Sequence, residues 1–367
     1  MNTFNNLFFL IKDDQRKILS IIDPQICKEN PICLLQAVRL MSQYDLSLDE
    51  KTTTFIRENA KEIQKVAGNE IAFEIFEILK EKDTYEYFKM MDEEFNLFEY
   101  IFPEILPMKN VGKCDYHVVD AWDHSLYTLK EIEKIIYEKG YFEGYIGKAY
   151  EEHIKEILPG GHTRMQLLKL GALFHDIGKP RAKWIDKRGK TRFIGHEVVG
   201  TEMMENIANR FQLPLASKKY LCKMVREHMW TLNLYKRNDV SGRATYDLFK
   251  KLGEEVLDIL LIGLSDVVAT RKLLHPDEEM GMYKIHVEYL ANSYLTRFKE
   301  VQALKDLLTP EDIKTNFKNI CREKREMILE ALRKEIFFGE LPPQRERVLE
   351  YIKRCVQKES QREEKLS

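Results

Sequence analysis

The chain has no C-x-x-C pair: its six cysteines, Cys27, Cys33, Cys114, Cys222, Cys321 and Cys355, are scattered along 367 residues. That pattern excludes a four-thiolate zinc knot and reads as reduced thiols of a cytosolic protein rather than a disulfide framework. The N-terminal run Leu7-Phe8-Phe9-Leu10-Ile11 is far shorter than the roughly 20 residues a spanning helix needs. It also lacks a basic leader and a small-residue cleavage site, so the expectation is a cytoplasmic protein with no membrane partner. Charge of one sign is missing too. With 58 Lys and Arg against 60 Asp and Glu, the net charge of -2 leaves any nucleic-acid contact to local patches. There is no internal repeat and no low-complexity tract, and the length suffices for two or three domains with ample cores.

Against that background one series stands out. His124, His175, Asp176, His196, His228 and Asp266 follow one another with gaps of 51, 1, 20, 32 and 38 residues. The adjacent pair lies in Leu173-Phe174-His175-Asp176-Ile177-Gly178-Lys179-Pro180, where two ionisable groups at an apolar helix end are costly unless something pairs with them. Imidazole and carboxylate suit borderline divalent ions, so one or two of Mn, Ni, Fe, Co or Mg are admissible. The order suggests His124, His175, Asp176 and Asp266 on a first ion and Asp176, His196 and His228 on a second. Such a pair of ions would activate a shared water and clamp a phosphoryl oxygen, the logic of metal-assisted phosphoester hydrolysis. His228 falls on a stripe with Leu221, Val225 and Leu232, and Asp266 shares a helical face with Ile259, Ile262 and Ala269, so both should point inward. A lone inward histidine is more often a satisfied core residue, and a lone buried aspartate a cap; neither role accounts for six in this order.

Lys179 would stand beside the ions, where it could neutralise a substrate phosphate or simply complement a helix dipole. It is a candidate catalytic residue with Asp176, and a candidate substrate-binding residue with Arg181. The stretch from Lys179 to Arg192 is strongly basic and reads as a small hairpin; it is either a polyanion-steering element or a solvated loop.

Helical periodicity dominates the rest. Ile56, Ala60, Ile63 and Val66, then Ile71, Ile75 and Leu79, recur every three or four residues, as do Leu126, Leu129, Ile132 and Ile136. The Pro103-to-Asp115 stretch, with two prolines and Gly112, is the best boundary. The expected division is a helical region over 1–102, a central domain over 103–280 and a helical tail over 281–367.

With these residues on the page, the chain resembles the HD superfamily of metal-dependent phosphohydrolases. Asp115-Tyr116-His117-Val118-Val119-Asp120-Ala121-Trp122-Asp123-His124-Ser125-Leu126 and Phe193-Ile194-Gly195-His196-Glu197-Val198-Val199-Gly200 are similar to the HD domain of bacterial tRNA nucleotidyltransferases (CCA-adding enzymes) and poly(A) polymerases. The resemblance implies an all-α fold: an HD bundle flanked by neck/body and tail helices, with the hairpin at 183–193 as the only β structure. It departs from the family in two places. No Gly-Gly loop with an Asp-x-Asp pair occurs, and Asp13-Asp14 follows no glycine loop. The family's base-selecting Glu-Asp-x-x-Arg stands here as Glu29-Asn30-Pro31-Ile32-Cys33, a further arginine stands as Gln36 while Arg39 remains, and Glu-Arg stands as Asn69-Glu70. Cysteine in place of a bidentate arginine removes the donors that base reading needs, so nucleotidyl transfer is not expected.

The leading expectation is a phosphohydrolase for a nucleotide or RNA phosphoester, of the phosphomonoesterase, 2′-nucleotidase or 2′,3′-cyclic phosphodiesterase class. Its alternative is an RNA- or tRNA-binding module with a vestigial or structural metal site. A split transferase with a separate head is the third and weakest. An oligomer is compatible with all three.

Overall fold

The computed structural model describes residues 8–13, 17–111, 119–138, 140–142, 144–274, 277–318 and 320–364. Five short strands and a long series of helices make up the described chain. The strands are β1 (Phe9–Asp13), β2 (Ile18–Ile21), β3 (Ser47–Leu48), β4 (Trp184–Ile185) and β5 (Thr191–Arg192). The helices begin with α1 (Pro24–Glu29), α2 (Cys33–Tyr44), α3 (Glu50–Asn59), α4 (Gly68–Leu79), α5 (Thr84–Glu93), α6 (Leu97–Ile101) and α7 (Ile105–Met108). They continue with α8 (Ala121–Tyr137), α9 (Gly144–His153), α10 (Arg164–Phe174), α11 (Lys179–Ala182), α12 (His196–Arg210), α13 (Leu215–Glu227), α14 (Met229–Arg237), α15 (Gly242–Leu252), α16 (Val256–Leu274) and α17 (Asp277–Ser293). The fold class is all-α, as the periodicity implies.

Contacts divide the chain into two compact units: Met1–Leu232 with Leu257–Lys284, and Asn233–Val256 with Ile285–Ser367. The three-part division expected from the sequence rests on its proline and glycine breaks, and this one follows packing, so the boundaries are of different kinds. Residues 112–118, which include Gly112, Cys114 and the Asp115-to-Val118 part of the quoted motif, lie outside the described residues, as does Asp14.

One expectation needs correction. The 183–193 hairpin forms, with Trp184 opposite Arg192 and Ile185 opposite Thr191, but it is not the only β structure. Residues 9–21 and 47–48 build a three-stranded sheet in which β1 pairs antiparallel with β2, and β2 parallel with β3. The apolar run too short to span a membrane is therefore partly a strand. Phe9, Leu19, Ser20 and Ile21 are buried while Leu10 is exposed, so β1 turns one face inward and β2 is covered along most of its length. The side chain of Thr52 accepts the amide of Ile21 at 2.9 Å and ties the sheet to α3.

In the first unit, α8 packs on α10, α10 on α13 and α12 on α13. Their facing sides bury Leu126, Leu129, Leu168, Phe174, Met204, Leu221 and Val225. The ends of these helices meet where α16 passes. A buried polar node holds α16 in place: Asp258 accepts from Tyr220 Oη at 2.7 Å and Arg164 Nη1 at 2.9 Å and meets His153 Nε2 at 2.8 Å. Burial favours neutral Asp258, but His153 and Arg164 outweigh it and hold the carboxyl below its usual range. Asp258 and Asp266 lie eight residues apart on α16, so the node sets the depth of both.

The second unit is organised around aromatic side chains. Tyr246 and Phe337 have ring centroids 5.3 Å apart, Phe249 and Phe298 5.6 Å, and Phe298 and Phe337 6.2 Å, all in edge-on arrangements.

Asp258→Ala removes the buried carboxylate that Arg164, His153 and Tyr220 share. We expect a loss of about 3–5 kcal/mol in stability by denaturant titration; a loss below about 1 kcal/mol would show that the node does not hold α16.

Candidate metal centre

The six residues of the sequence series come together, and five of them sit at helix ends. His124 lies in the first turn of α8, whose N-cap Asp120 accepts the amides of Trp122 and Asp123. His175 caps the C-terminus of α10, Asp176 follows it in the turn, His196 is the first residue of α12, and His228 caps α13. Asp266 alone comes from the middle of a helix, α16. Helix ends suit such groups, because side chains there can project past the last turn rather than along the helix surface.

Asp176 is the hub. Its Oδ2 lies 3.2 Å from His175 Nε2 and 3.9 Å from His124 Nε2, while its Oδ1 lies 3.2 Å from His196 Nε2 and 3.9 Å from His228 Nε2. Asp266 Oδ1 completes the first side, 2.8 Å from His124 Nε2 and 3.9 Å from His175 Nε2. The donor atoms thus form two sets of three, His124–His175–Asp266 and Asp176–His196–His228, with the Asp176 carboxylate turned towards both.

The backbone fixes the imidazoles. Nδ1 of His175, His196 and His228 meets the carbonyl three residues earlier, from Ala172, Phe193 and Val225, at 2.7, 2.8 and 2.8 Å. A ring that donates from Nδ1 presents a lone pair at Nε2, the form in which imidazole ligates a metal. His196 and His228 then face each other with Nε2 atoms 3.2 Å apart, two lone pairs in repulsive contact unless a cation or proton lies between them. His175 Nε2 is buried and lacks hydrogen-bond geometry, and Asp176 Oδ2 is paired with the Lys179 ammonium. Two carboxylates against one ammonium, Lys179, also leave negative charge in a dry site when the imidazoles are neutral. The donor set, its orphaned nitrogen and its charge all fit a divalent cation.

Protonation follows the same geometry. Burial would neutralise Asp176, but Lys179 and His175 prevail and hold it well below the usual carboxylate range. Burial likewise opposes ionised Asp266, and the hydrogen bond with His124 overcomes it. Burial lowers His124, and burial with the neighbouring His175 and His196 brings His228 down to about 3. His175 goes the other way: burial lowers it, but Asp176 more than offsets this and raises it.

Lys179 Nζ pairs with Asp176 Oδ2, and its ammonium sits 5.8 Å from the centre of the Phe193 ring. It lies in the four-residue helix α11, which follows the turn after α10. Arg181 is exposed and makes no contact with the cluster among the described residues.

Two residues quoted in the sequence motif had no assigned role there. A Cβ on Gly178 would lie 2.0 Å from His196 O and 2.6 Å from Gly200 N, so only glycine lets the α10–α11 turn reach α12. Gly195, at φ +84°, turns the chain so that Phe193 O meets both the amide and the ring of His196. The glycines were visible in the sequence. The carbonyls were not, because every residue supplies one.

Comparison with known proteins agrees with this geometry. Residues 122–266 match the HD domain family, and residues 45–109 match the probable RNA- and SrmB-binding site of polymerase A. An A-adding tRNA nucleotidyltransferase of Deinococcus radiodurans is 22% identical over 68% of this chain and 52% of its own length. A CC-adding tRNA nucleotidyltransferase of Thermus thermophilus is 22% identical over 81% of this chain and 63% of its own. The chain therefore spans about half to two thirds of these relatives. The fold is similar to that of the Thermotoga maritima CCA-adding enzyme solved with tRNA, with a TM-score of 0.54, 14% identity, and coverage of 92% of this chain and 64% of that one.

Gly178→Ala should cost about 1–3 kcal/mol and separate His196 from Asp176, lowering divalent metal retained per chain; wild-type metal content by elemental analysis would contradict the close-approach argument. For the metal-free protein, His228 is held neutral to about pH 3 while an unfolded histidine takes its proton near 6.5. Its contribution to stability is therefore present above about pH 6.5 and lost as pH falls towards 3. His175, with a raised value, contributes in the opposite sense. Thermal melts between pH 7 and 4.5 should show a shallower acid decline in His228→Asn than in the parent; equal slopes would count against this assignment.

Proposed function

We propose that this chain, an HD-domain relative of the tRNA nucleotidyltransferases, is a metal-dependent phosphohydrolase acting on a nucleotide or RNA phosphoester. The observation that carries the reading is Asp176, whose two carboxylate oxygens each face a separate imidazole set while Lys179 stands against one of them. His124, His175, Asp176 and Asp266 would hold one ion, and Asp176, His196 and His228 a second; Mn, Ni, Fe, Co and Mg all suit this nitrogen and oxygen set. Such ions supply Lewis acidity towards phosphoryl oxygens and a nucleophilic water at neutral pH.

The chain's own groups do the rest. The carbonyls of Ala172, Phe193 and Val225 hold Nδ1 of three imidazoles and leave each Nε2 facing the site, the orientation in which the neutral ring ligates. Lys179, nearly buried, offers the ammonium nearest the cluster, and a phosphate arriving there would share the charge now directed at Asp176. Arg181, two residues on and exposed, is the candidate for contact with an outer phosphate.

The neck supports hydrolysis over nucleotide addition. Cys33 is fully buried at the start of α2, with its Sγ 3.6 Å from Cys27 O, so the position carries a packing group and no base-reading donor. Arg39 is engaged elsewhere: its Nε pairs with Glu74 Oε2 at 2.6 Å and its Nη1 with Gln43 at 2.8 Å.

The second reading is an RNA-binding module with a structural metal, tRNA being one candidate partner. The match of residues 45–109 to the polymerase RNA-binding segment favours it. Salt-dependent tRNA affinity without turnover would select it.

We expect the purified protein, titrated with Mn²⁺, Ni²⁺, Co²⁺ and Mg²⁺, to turn over at least one of a 2′,3′-cyclic nucleotide, a 2′-nucleotide or a phosphomonoester. His175→Ala should abolish turnover by more than about a hundredfold, and Lys179→Met should lower kcat by roughly 10²–10³. No turnover with any metal would sink the hydrolase.

A further inference from the structure

The segment between Lys179 and His196 leaves the metal centre and returns to it. At its outgoing foot Lys179 pairs with Asp176, and at its returning foot Phe193 O holds the His196 ring. The Phe193 ring meets the Lys179 ammonium, and the Gly178 contact with His196 O closes the base. Both feet of the hairpin are therefore anchored at the six-residue cluster.

Its composition is unusual for a loop tip. Between residues 181 and 194 it carries six cations, Arg181, Lys183, Lys187, Arg188, Lys190 and Arg192, and one carboxylate, Asp186. That carboxylate is used internally: it accepts the amides of Arg188 at 2.9 Å and Lys190 at 3.0 Å and pairs with Arg192 Nε at 2.9 Å. Arg181, Lys183, Lys187 and Arg188 are exposed and make no ion pair among the described residues. Large apolar side chains are exposed beside them, with Trp184 at 47%, Ile185 at 65% and Ile194 at 76%. An exposed indole among uncompensated cations, on a hairpin stiffened by its own aspartate, matches the chemistry of a single nucleic-acid strand. Phosphates meet the cations, and an unpaired base stacks on the ring.

Building on the hydrolase reading, we infer that the Trp184–Arg192 hairpin is a platform for single-stranded nucleic acid. It stacks a base on Trp184 and leads the strand's terminal phosphoester to the metal centre. The substrate is then the end of a strand rather than a free mononucleotide.

Fluorescence anisotropy of a labelled dodecamer, as U12 and as dT12, tests this on the full chain, with a blunt duplex of the same length as control. Trp184→Ala should weaken single-strand binding about tenfold or more, Trp184→Phe should restore most of it, and the duplex should bind without sensitivity to either. Lys187→Glu with Arg188→Glu should weaken binding and flatten its dependence on salt. Turnover of a small phosphomonoester should be unchanged in all of these variants. A preference for U12 over dT12 would assign the strand as RNA, and the reverse as DNA. Single-strand affinity unaltered by both sets of variants overturns the inference whatever the turnover. Affinity that responds to both while the parent hydrolyses no phosphoester overturns the hydrolase reading and leaves the hairpin as a strand-binding element.

Discussion

A carboxylate buried among four imidazoles and an ammonium is stable only if its charge is used, and the first unit is arranged around that constraint at Asp176. Each of its oxygens faces its own set of histidines, and the ionised form prevails over burial because Lys179 and His175 stand against it. Removing water from such a group is expensive unless partners converge on it from several directions. Convergence is what the bundle supplies: the C-terminal ends of α10 and α13, the N-terminal ends of α8 and α12, and the flank of α16 meet at one point.

Helix ends bring rigidity as well as reach. The imidazoles of His175 and His228 draw on the Ala172 and Val225 carbonyls in the last turns of α10 and α13, groups that a helix end would otherwise leave unsatisfied. Capping and ligand orientation are thus the same hydrogen bonds. The close approach of Gly178 to His196 O belongs to this economy, since it sets two ligand-bearing turns against each other without an intervening side chain. Farther along α16, the Asp258 node anchors the helix that carries Asp266, which links a structural ion-pair network to the depth of a ligand.

The neck and the histidine–aspartate site use their polar side chains differently. Where the resemblance to tRNA nucleotidyltransferases implies a guanidinium, Cys33 is a buried thiol, and Arg39 is tied into Glu74. Those are packing solutions. The histidine–aspartate cluster, in contrast, has every donor directed inward, and the hairpin that begins and ends in it carries exposed cations and an indole.

Much of the first unit was legible in order and spacing. Periodicity marked α4, α8 and α13 because an apolar face must recur every three or four residues. The six cluster residues were named because so many ionisable groups turned inward call for a cation to balance them. The N-terminal strands were missed. Their apolar run is too short for its period to be read, and the pairing partner of β2 lies beyond α2. Sequence by itself determined the donor chemistry and the all-α class, since these depend on residue identity and spacing. Only tertiary structure decided that Asp176 faces both imidazole sets, that carbonyls fix the rings and that Gly178 must be bare. Those depend on where helix ends from distant parts of the chain come to rest.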